Sequence, residues 1–221
     1  PTATPTPTAT PTPTATPTEI LGNVTTFAGS GSNAGLDGIG TAASFNYPQG
    51  ICIDNNNQCL YVADTNNKKI RRITYDGTVT TYLSLQYPPY CVTTDSSGNV
   101  YYSEPSNNRI MKITPAKVLS VFVSGLNQAR GIKIHSDGYM YVCDFTAHRI
   151  IKISPTGTIT WLAGSGSFGY VDGQGMSAKF TYPEDLCIDA NGNIYVTDTG
   201  NFRIRKITPT GAVTTFAGST R

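Results

Sequence analysis

Apolar and polar residues alternate in short runs from residue 24 onward, and the same pattern returns at intervals of about 40 residues. Each repeat resolves into four short strands separated by turn residues. The first strand is apolar, as in Gly50 to Ile53, which is typical of the innermost strand of a blade. The third alternates apolar and basic residues, as in Lys69 to Ile73, so one face is predicted to be dry and the other wet. The fourth is rich in threonine and is predicted to lie outermost.

Four such repeats are visible, and they start at Tyr47, Tyr87, Gln128 and Tyr182. Pairs such as Asn191-Gly192 stand between the first two strands and supply the positive φ angle of a tight hairpin. A four-stranded antiparallel unit repeated at this spacing is a propeller blade. The sequence therefore predicts an all-β chain whose residues 21–221 form a β-propeller of four-stranded antiparallel blades. Residues 1–20 are predicted to be a separate stalk or linker.

The repeats resemble the NHL-repeat β-propellers in two motifs. P-x-G-I occurs near the start of a repeat, as Pro48-Gln49-Gly50-Ile51, and I-Y-V-x-D-x-x-N-x-R-I-x-K-I runs from Ile194 through Ile207. The linker at residues 28–48 recurs at 163–183 and is also similar to members of this family. Three departures are expected to loosen local turns only: Glu104 replaces the aspartate, Ala147 replaces the asparagine, and the third repeat lacks the leading proline. Because the resemblance implies propellers that more often have six blades, the four repeats can be part of a larger propeller.

The first eighteen residues are three copies of PTATPT. They offer no hydrophobic face that could offset the entropy of folding, and their prolines favour an extended polyproline II rod. Tracts rich in threonine and proline are typical of O-glycosylated, mucin-like stalks, and a bare flexible linker is the alternative. The sequon at Asn23 adds a candidate N-glycosylation site. The predicted O-glycosylation sites are Thr2, Thr4, Thr6, Thr8, Thr10, Thr12, Thr14, Thr16 and Thr18.

The charge balance excludes some classes of partner. Lysine and arginine number 16 against 14 acidic residues, and charged residues make up only 14% of the chain. Such a flat balance argues against binding to nucleic acid or to a membrane surface, both of which need basic clusters. No apolar run approaches the length of a membrane span, and no stretch resembles a signal peptide. The sequence begins with Pro1 rather than Met, as expected of a processed chain or a fragment.

An acidic residue stands five positions before a basic one in every repeat. This spacing brings carboxylate and cation together across a hairpin, and its recurrence in each blade favours a structural pair over a catalytic one. Two further acids, Asp37 and Asp172, lie in D-G-x-G segments that resemble calcium-binding turns but lack the five to seven oxygen ligands of a strong site. The predicted pairs are Asp64 with Lys69, Glu104 with Arg109, Asp144 with Arg149, and Asp198 with Arg203.

No catalytic or cofactor motif is evident. The only histidines, His135 and His148, are not at ligand spacing for zinc, which needs three protein ligands in a hydrolase. Among amidating lyases, which share this architecture, the metal site uses several histidines. Neither a G-x-S-x-G elbow nor a phosphate-binding G-x-x-x-x-G-K-[ST] occurs. We therefore predict no catalytic residue, no metal site and no cofactor.

The cysteines and tyrosines are assigned structural roles. Cys52 and Cys59 flank the first hairpin and could bridge it, whereas the other three lie within strands and are expected to be buried thiols: Cys91, Cys143 and Cys187. One tyrosine recurs in every second strand, and this register favours packing between blades over a carbohydrate platform. These tyrosines are Tyr61, Tyr101, Tyr141 and Tyr195.

The outer-strand motif occurs five times, but the inner three strands occur only four times. The surplus copy is Val24–Ser30. Propellers usually close when a strand from one terminus completes a blade formed by the other, which removes exposed sheet edges. We predict that Val24–Ser30 pairs with an inner strand that lacks its own outer partner, in the same chain or in a neighbouring subunit.

These patterns predict a secreted or cell-surface, non-enzymatic structural or interaction module on a glycosylated stalk. Its expected partners are copies of itself or extracellular proteins and glycans, in an assembly that can be fibrous. The alternative is a propeller enzyme of lactonase or lyase type with a metal in the central channel. RNA binding, which occurs in some cytoplasmic NHL-repeat proteins, is disfavoured by the near-neutral charge and by the Pro/Thr tract.

Overall fold

The fold was analysed in a computed structural model that describes residues 22–218. These residues form four antiparallel sheets, and their helical turns are 3₁₀ turns of three residues each. None of these turns is long and apolar enough to cross a membrane. The all-β prediction is therefore confirmed, while the predicted rod at residues 1–18 lies outside the described residues.

Each sheet is one blade, and its strands follow one another in sequence order. The predicted strand positions are confirmed to within two residues. Blade 1 comprises β2 (Pro48–Asp54), β3 (Cys59–Asp64), β4 (Lys69–Thr74) and β5 (Thr78–Ser84). Blade 2 comprises β6 (Val92–Thr94), β7 (Val100–Glu104), β8 (Arg109–Ile113) and β9 (Leu119–Ser124). Blade 3 comprises β10 (Ala129–Ile134), β11 (Met140–Asp144), β12 (Arg149–Ile153) and β13 (Ile159–Ala163). Blade 4 comprises β15 (Pro183–Ile188), β16 (Ile194–Asp198), β17 (Arg203–Ile207) and β18 (Ala212–Ala217).

The two long linkers are more ordered than plain loops. Each contributes a two-residue strand to the outer edge of the blade that follows it: β1 (Gly38–Ile39) pairs with β5, and β14 (Gly173–Gln174) pairs with β18. A 3₁₀ turn follows each of these short strands, at Gly40–Ala42 and at Gly175–Ser177. The linkers therefore shield outer strands that would otherwise present unpaired backbone groups.

The hydrophobic core lies between blades, because the innermost strands β2, β6, β10 and β15 stand side by side. Gly50, the glycine of the P-x-G-I motif, permits this close approach: a Cβ atom there would lie 2.6 Å from the Cα atom of Cys91. Gly131 has the same role in blade 3, where a Cβ atom would meet Asp185. In both places a larger residue would push neighbouring blades apart.

Every blade has a trailing face, turned toward the preceding blade, and a leading face, turned toward the next one. Three clusters of buried residues fill the spaces between blades 1 and 2, 2 and 3, and 3 and 4. A fourth cluster belongs to blade 1 and its linker alone: Ala43, Val62, Ile73 and Val79. The array is therefore an open arc, with blade 1 and blade 4 at its two ends.

The predicted acid–base pairs are correct in the middle blades and wrong in the end blades. Arg109 contacts Glu104 at 2.7 Å, and Arg149 contacts Asp144 at 2.7 Å. Asp64 instead pairs with Arg71 at 2.8 Å, and Asp198 pairs with Arg205 at the same distance. The residues predicted for these roles are used elsewhere: Lys69 donates to the carbonyl oxygen of Gly35, and Arg203 donates to that of Asn201.

The linkers explain this difference. In blade 1 the buried Arg71 also donates to the carbonyl oxygens of Ser44 and Leu36, and to the carboxylate of Asp37. Arg205 makes the equivalent set of contacts in blade 4, with Lys179, Val171 and Asp172. Blades 2 and 3 follow shorter linkers and carry Met111 and Ile151 at this position of the third strand. The arginine is thus an internal clamp that fastens a long linker to its blade.

Replacing the clamp should weaken the fold. Arg71→Met would leave the buried Asp64 without its cation, which typically costs about 3 kcal/mol of unfolding free energy. The matched control is Arg72→Met on the same strand, which should change stability by less than about 0.5 kcal/mol. Denaturant unfolding of both variants measures the difference.

A second change should restore part of the loss. Lys69→Arg in the Arg71→Met background recreates the blade 2 arrangement, in which Arg109 neutralises Glu104 beside Met111. We expect it to recover part of the lost stability. Equal stability of the single and double variants would contradict this role of the residue at position 69.

Candidate functional site

Three side chains from three different blades meet beside the innermost strands. The Tyr90 hydroxyl donates to a carboxylate oxygen of Glu184 at 2.6 Å, and a guanidinium nitrogen of Arg130 donates to the same oxygen at 2.7 Å. Tyr90 precedes β6, whereas Arg130 lies on β10 and Glu184 on β15. Blades 2 and 4 are thus joined across blade 3, which places the trio close to the axis.

The sequence analysis did not single out this trio. Gln49, Arg130 and Glu184 each occupy the second position of a P-x-G-I-like segment, and Tyr90 follows Pro89 in the corresponding place. This position carries a different residue type in each blade, although the rest of the motif is regular. That contrast is the sequence feature from which the trio could have been predicted. Gln49 is exposed at the end of the row.

The charged groups of the trio are paired with each other. Partial burial alone would raise the pKa of Glu184, but the Tyr90 hydroxyl and the Arg130 charge outweigh it and hold that pKa below its usual range. Burial and the hydrogen bond to Glu184 raise the pKa of Tyr90 above its ordinary value. The Arg130 guanidinium also lies 3.5 Å from the ring centre of Phe145. At neutral pH Glu184 is therefore ionised, and its ion pair with Arg130 joins neighbouring blades.

The titratable groups considered as metal ligands are dispersed. Among residues 22–218 there is no group of three or more His, Cys, Asp or Glu side chains that could hold a metal ion. Asp37 and Asp172 are occupied by the arginine clamps and by the backbone amides of Thr81 and Thr215. His148 accepts a hydrogen bond from the backbone amide of Tyr182, and partial burial lowers its pKa.

All five cysteines are free. Cys52 stands opposite Tyr61 and Cys59 stands opposite Asp54, so the bridge considered for the first hairpin does not form. Burial raises the pKa of the Cys52 thiol to about 12, and burial likewise raises that of Cys91 and of Cys143. The expectation that Cys187 is buried is wrong, because it lies opposite Tyr195 on the leading face of blade 4, which no blade formed by residues 22–218 covers.

The repeated tyrosines pack between blades as predicted in the first three repeats. Tyr61, Tyr101 and Tyr141 are buried in the clusters on the leading faces of their blades. Tyr195 belongs to the same series but is only half-buried. It meets Phe216 edge to face at 5.0 Å, as Tyr101 meets Phe122. Blade 4 therefore carries the same packing surface as the inner blades, and in the described part of the chain no neighbour covers it.

The trailing face of blade 1 is the matching uncovered surface. Leu186 in blade 4 is 3% exposed beneath blade 3, whereas its counterpart Ile51 in blade 1 is 55% exposed. Leu60, the counterpart of the fully buried Ile194, is only half-buried. A groove of about 400 Å³ runs over this face and is lined mainly by apolar side chains. The two ends of the arc thus expose the two halves of one kind of interface.

The pairing predicted for Val24–Ser30 is not formed among residues 22–218. None of these residues belongs to a strand, and each of the four described blades already has its own outer strand. Most of the segment is exposed, and Val24 is 94% exposed. The reason is that three inner strands for this segment are lacking among residues 22–218. Pairing with a neighbouring subunit stays a prediction.

The predicted sugar sites lie at the N-terminal end. Asn23 is exposed. The nine threonines of the PTATPT repeats fall outside the described residues, so their modification stays a prediction.

Comparison with known proteins identifies the repeat. The NHL repeat model matches residues 45–73 and 180–207. NHL repeat-containing protein 2 of Bos taurus is 50% identical over 50 residues, 22% of this chain and 7% of that protein. Its Homo sapiens counterpart is 38% identical over 64 residues, 28% of this chain and 9% of that protein. Two segments of the chain therefore match the NHL repeat, and the matched part spans less than a tenth of the length of these relatives.

Solved structures show the same fold. A virginiamycin B lyase from Staphylococcus aureus superimposes with a TM-score of 0.62 at 23% identity, over 78% of this chain and 56% of the lyase chain. An auxiliary nutrient binding protein from Bacteroides ovatus gives a TM-score of 0.56 at 20% identity, over 88% of this chain and 64% of that chain. At this level of identity the likeness shows the fold, and the β-propeller prediction is confirmed.

The charge of Glu184 should contribute to stability above its ordinary pKa. Because its folded-state pKa is lowered, the contribution is present above about pH 4.3 and is lost as pH falls through the folded value. Glu184→Gln should lower the unfolding free energy by about 1 kcal/mol at pH 7. The difference should shrink in thermal melts below about pH 4; a gap that does not depend on pH would contradict the ion-pair role.

Proposed function

We propose that this chain is a non-enzymatic structural or interaction module that acts at the cell surface or outside the cell. In this proposal the propeller stands on a glycosylated Pro/Thr stalk and binds copies of itself or other extracellular proteins and glycans. The observation that carries the proposal is the pair of uncovered apolar faces at the two ends of the arc, marked by Ile51 and by Tyr195.

Contiguous exposed apolar side chains on the surface of a folded protein are typical of a contact site. Fully burying a side chain such as Ile51 contributes about 1.5–3 kcal/mol, so covering several of them supports a stable contact. The trio supports the same interpretation, because Glu184 and Arg130 are engaged with each other and with Tyr90.

The stalk supports the extracellular setting. Three uncharged PTATPT copies place a threonine hydroxyl at every second residue from position 2 to position 18. Three residues per turn in polyproline II distribute these hydroxyls around the rod, where sugars would sheath it and keep it extended. Asn23 follows this tract in the sequence, and its exposed side chain is accessible for N-linked glycosylation.

An enzymatic function is the second candidate. It is favoured by the lyases among the proteins that share the fold, and by the convergence of Tyr90, Arg130 and Glu184 from three different blades. A ligand there would have to replace the Arg130–Glu184 ion pair. A lactonase or lyase activity of this type would use a metal in the channel.

The mass of the natural protein tests the stalk. We expect residues 1–18 to be heavier than the bare peptide by whole hexose or pentose units, and the excess to disappear after chemical deglycosylation. Residues 30–218 serve as the internal control, since they contain no sequon. A bare mass for residues 1–18 would overturn the glycosylated stalk.

Metal analysis and chelation separate the two candidate functions. We expect the purified chain to hold less than stoichiometric zinc, calcium, magnesium or manganese, and chelation to leave its thermal stability unchanged. Hydrolysis of lactones or cleavage of virginiamycin B should not exceed that of a heat-denatured control. Activity that is lost on chelation and also in Glu184→Gln would favour the enzyme instead.

A further inference from the structure

The segment that precedes blade 1 already stands where the outer strand of a preceding blade would lie. Between blades 3 and 4, the amide of Gly164 donates to the carbonyl oxygen of Gly175 at 3.1 Å, just after β13. Before blade 1, the amide of Gly29 donates to the carbonyl oxygen of Gly40 at the same distance. The two contacts are equivalent in the repeated linkers, so Ala28 occupies the position of Ala163, the last residue of an outer strand.

A second contact confirms this position. A Cβ atom on Gly211 of blade 4 would lie 3.3 Å from the carbonyl oxygen of Leu162 in blade 3. The corresponding distance from Gly77 of blade 1 to the carbonyl oxygen of Phe27 is 3.5 Å. The backbone around Phe27 is thus seated on blade 1 as the outer strand of blade 3 is seated on blade 4. What it lacks, among the described residues, is the rest of a blade.

The sequence of this segment indicates which blade it fits. Residues 24–30 read VTTFAGS, and residues 213–219 read VTTFAGS as well. The second copy supplies most of β18, the outer strand of blade 4, where Phe216 packs against Tyr195 at 5.0 Å. Any blade that accepts residues 213–217 can therefore accept residues 24–28 with identical side chains.

The end faces agree with this match. Blade 4 presents Tyr195 and Ile204 on its open leading face, in the places that Tyr141 and Ile150 occupy in blade 3. Blade 1 presents Ile51 and Leu60 on its open trailing face, where blade 4 has Leu186 and Ile194. The contact between blades 3 and 4 is thus a template for blade 4 of one copy packed on blade 1 of another.

We propose that the occupant of the open face of blade 1 is blade 4 of a second copy of this chain, and that the outer strand of that blade is exchanged for a segment of the first copy. Val24–Ala28 of one copy replaces residues 213–217 of the other as the outer strand of blade 4. The register follows from β17 and β18: Thr25 takes the place of Thr214 opposite Lys206, and Ala28 takes that of Ala217 opposite Ile204. This inference rests on the proposed function, because it names the partner.

The exchange keeps the hydrogen bonds of blade 4 and avoids a steric clash. The strand that leaves and the strand that enters have the same sequence, so the ladder on β17 is conserved. A copy that docks without exchange would bring its own β18 onto the place held by Val24–Ala28, and the two strands would collide. Exchange removes the collision and covers both apolar end faces. The contact is head to tail, so it builds either a closed ring or an open filament.

Cysteine pairs on the predicted register test the exchange. Residues opposite each other on adjacent strands are within disulfide range. In a Cys187→Ser background, Thr25→Cys with Lys206→Cys should form a disulfide between chains and give a ladder of multiples on a non-reducing gel. The matched control combines Lys206→Cys with Ala116→Cys, an exposed turn position in blade 2 that lies away from both end faces, and should stay at the monomer mass.

Light scattering of the full chain supplies the second measurement. The parent chain should be larger than a monomer, and Phe27→Glu should raise the dissociation constant at least tenfold while the melting temperature of the monomer is unchanged. Phe27 is half-exposed and outside every strand, so this variant keeps its fold.

Three results would overturn the inference, and they differ in what they leave standing. A parent chain that stays monomeric at high concentration excludes the second copy. A disulfide at monomer mass means that the arc closes within one chain. If the oligomer forms equally well with Phe27→Glu and the gel shows no disulfide-linked multiples, the copies dock without exchange. That result leaves the proposed interaction function intact. That function fails separately, if the metal-dependent activity described above is found.

Discussion

Each blade of this chain is a thin sheet with an apolar surface on both sides, and each side must be covered by a neighbouring blade to be stable in water. The core is accordingly distributed between blades, with one buried cluster in each of the three spaces. The glycines of the inner strands follow from the same constraint, because Gly50 and Gly131 let adjacent sheets approach to contact. The two faces at the ends of the arc are where this constraint is unmet.

The arginine clamps solve a related problem. A linker of some twenty residues that merely crossed the surface would leave backbone groups without partners. Arg71 and Arg205 bind linker carbonyl oxygens inside the blade, and Asp64 and Asp198 neutralise them there. A buried ion pair contributes little net stability by itself but is costly to break, so its value here is in fixing one linker conformation.

The sequence predicted most of the fold, because strand alternation and turn residues are local signals repeated in each blade. It failed where a residue's surroundings depend on elements far along the chain. The partner of Asp64 is Arg71 rather than Lys69 because a linker from residue 36 onward reaches the same arginine. Cys187 is exposed because its face has no neighbour, although Cys52 in the equivalent place is covered by blade 2. Tyr90, Arg130 and Glu184 were missed because each is ordinary alone, and only the repeat register brings them together at the axis.

The symmetry of the repeats limits what can cover the open ends. Every internal space is filled on one side by a tyrosine that packs with an outer-strand aromatic or leucine, and on the other mainly by aliphatic side chains. A surface that covers Ile51 and Leu60 must therefore offer an aromatic edge at blade spacing and a strand aligned with residues 24–28. A flat or strongly charged partner would leave the groove above Ile51 unfilled. It would also give the backbone of Phe27 no neighbouring strand to pair with. A blade fits these demands, and in our proposal blade 4 of a second copy meets them with its strand sequence and its free face.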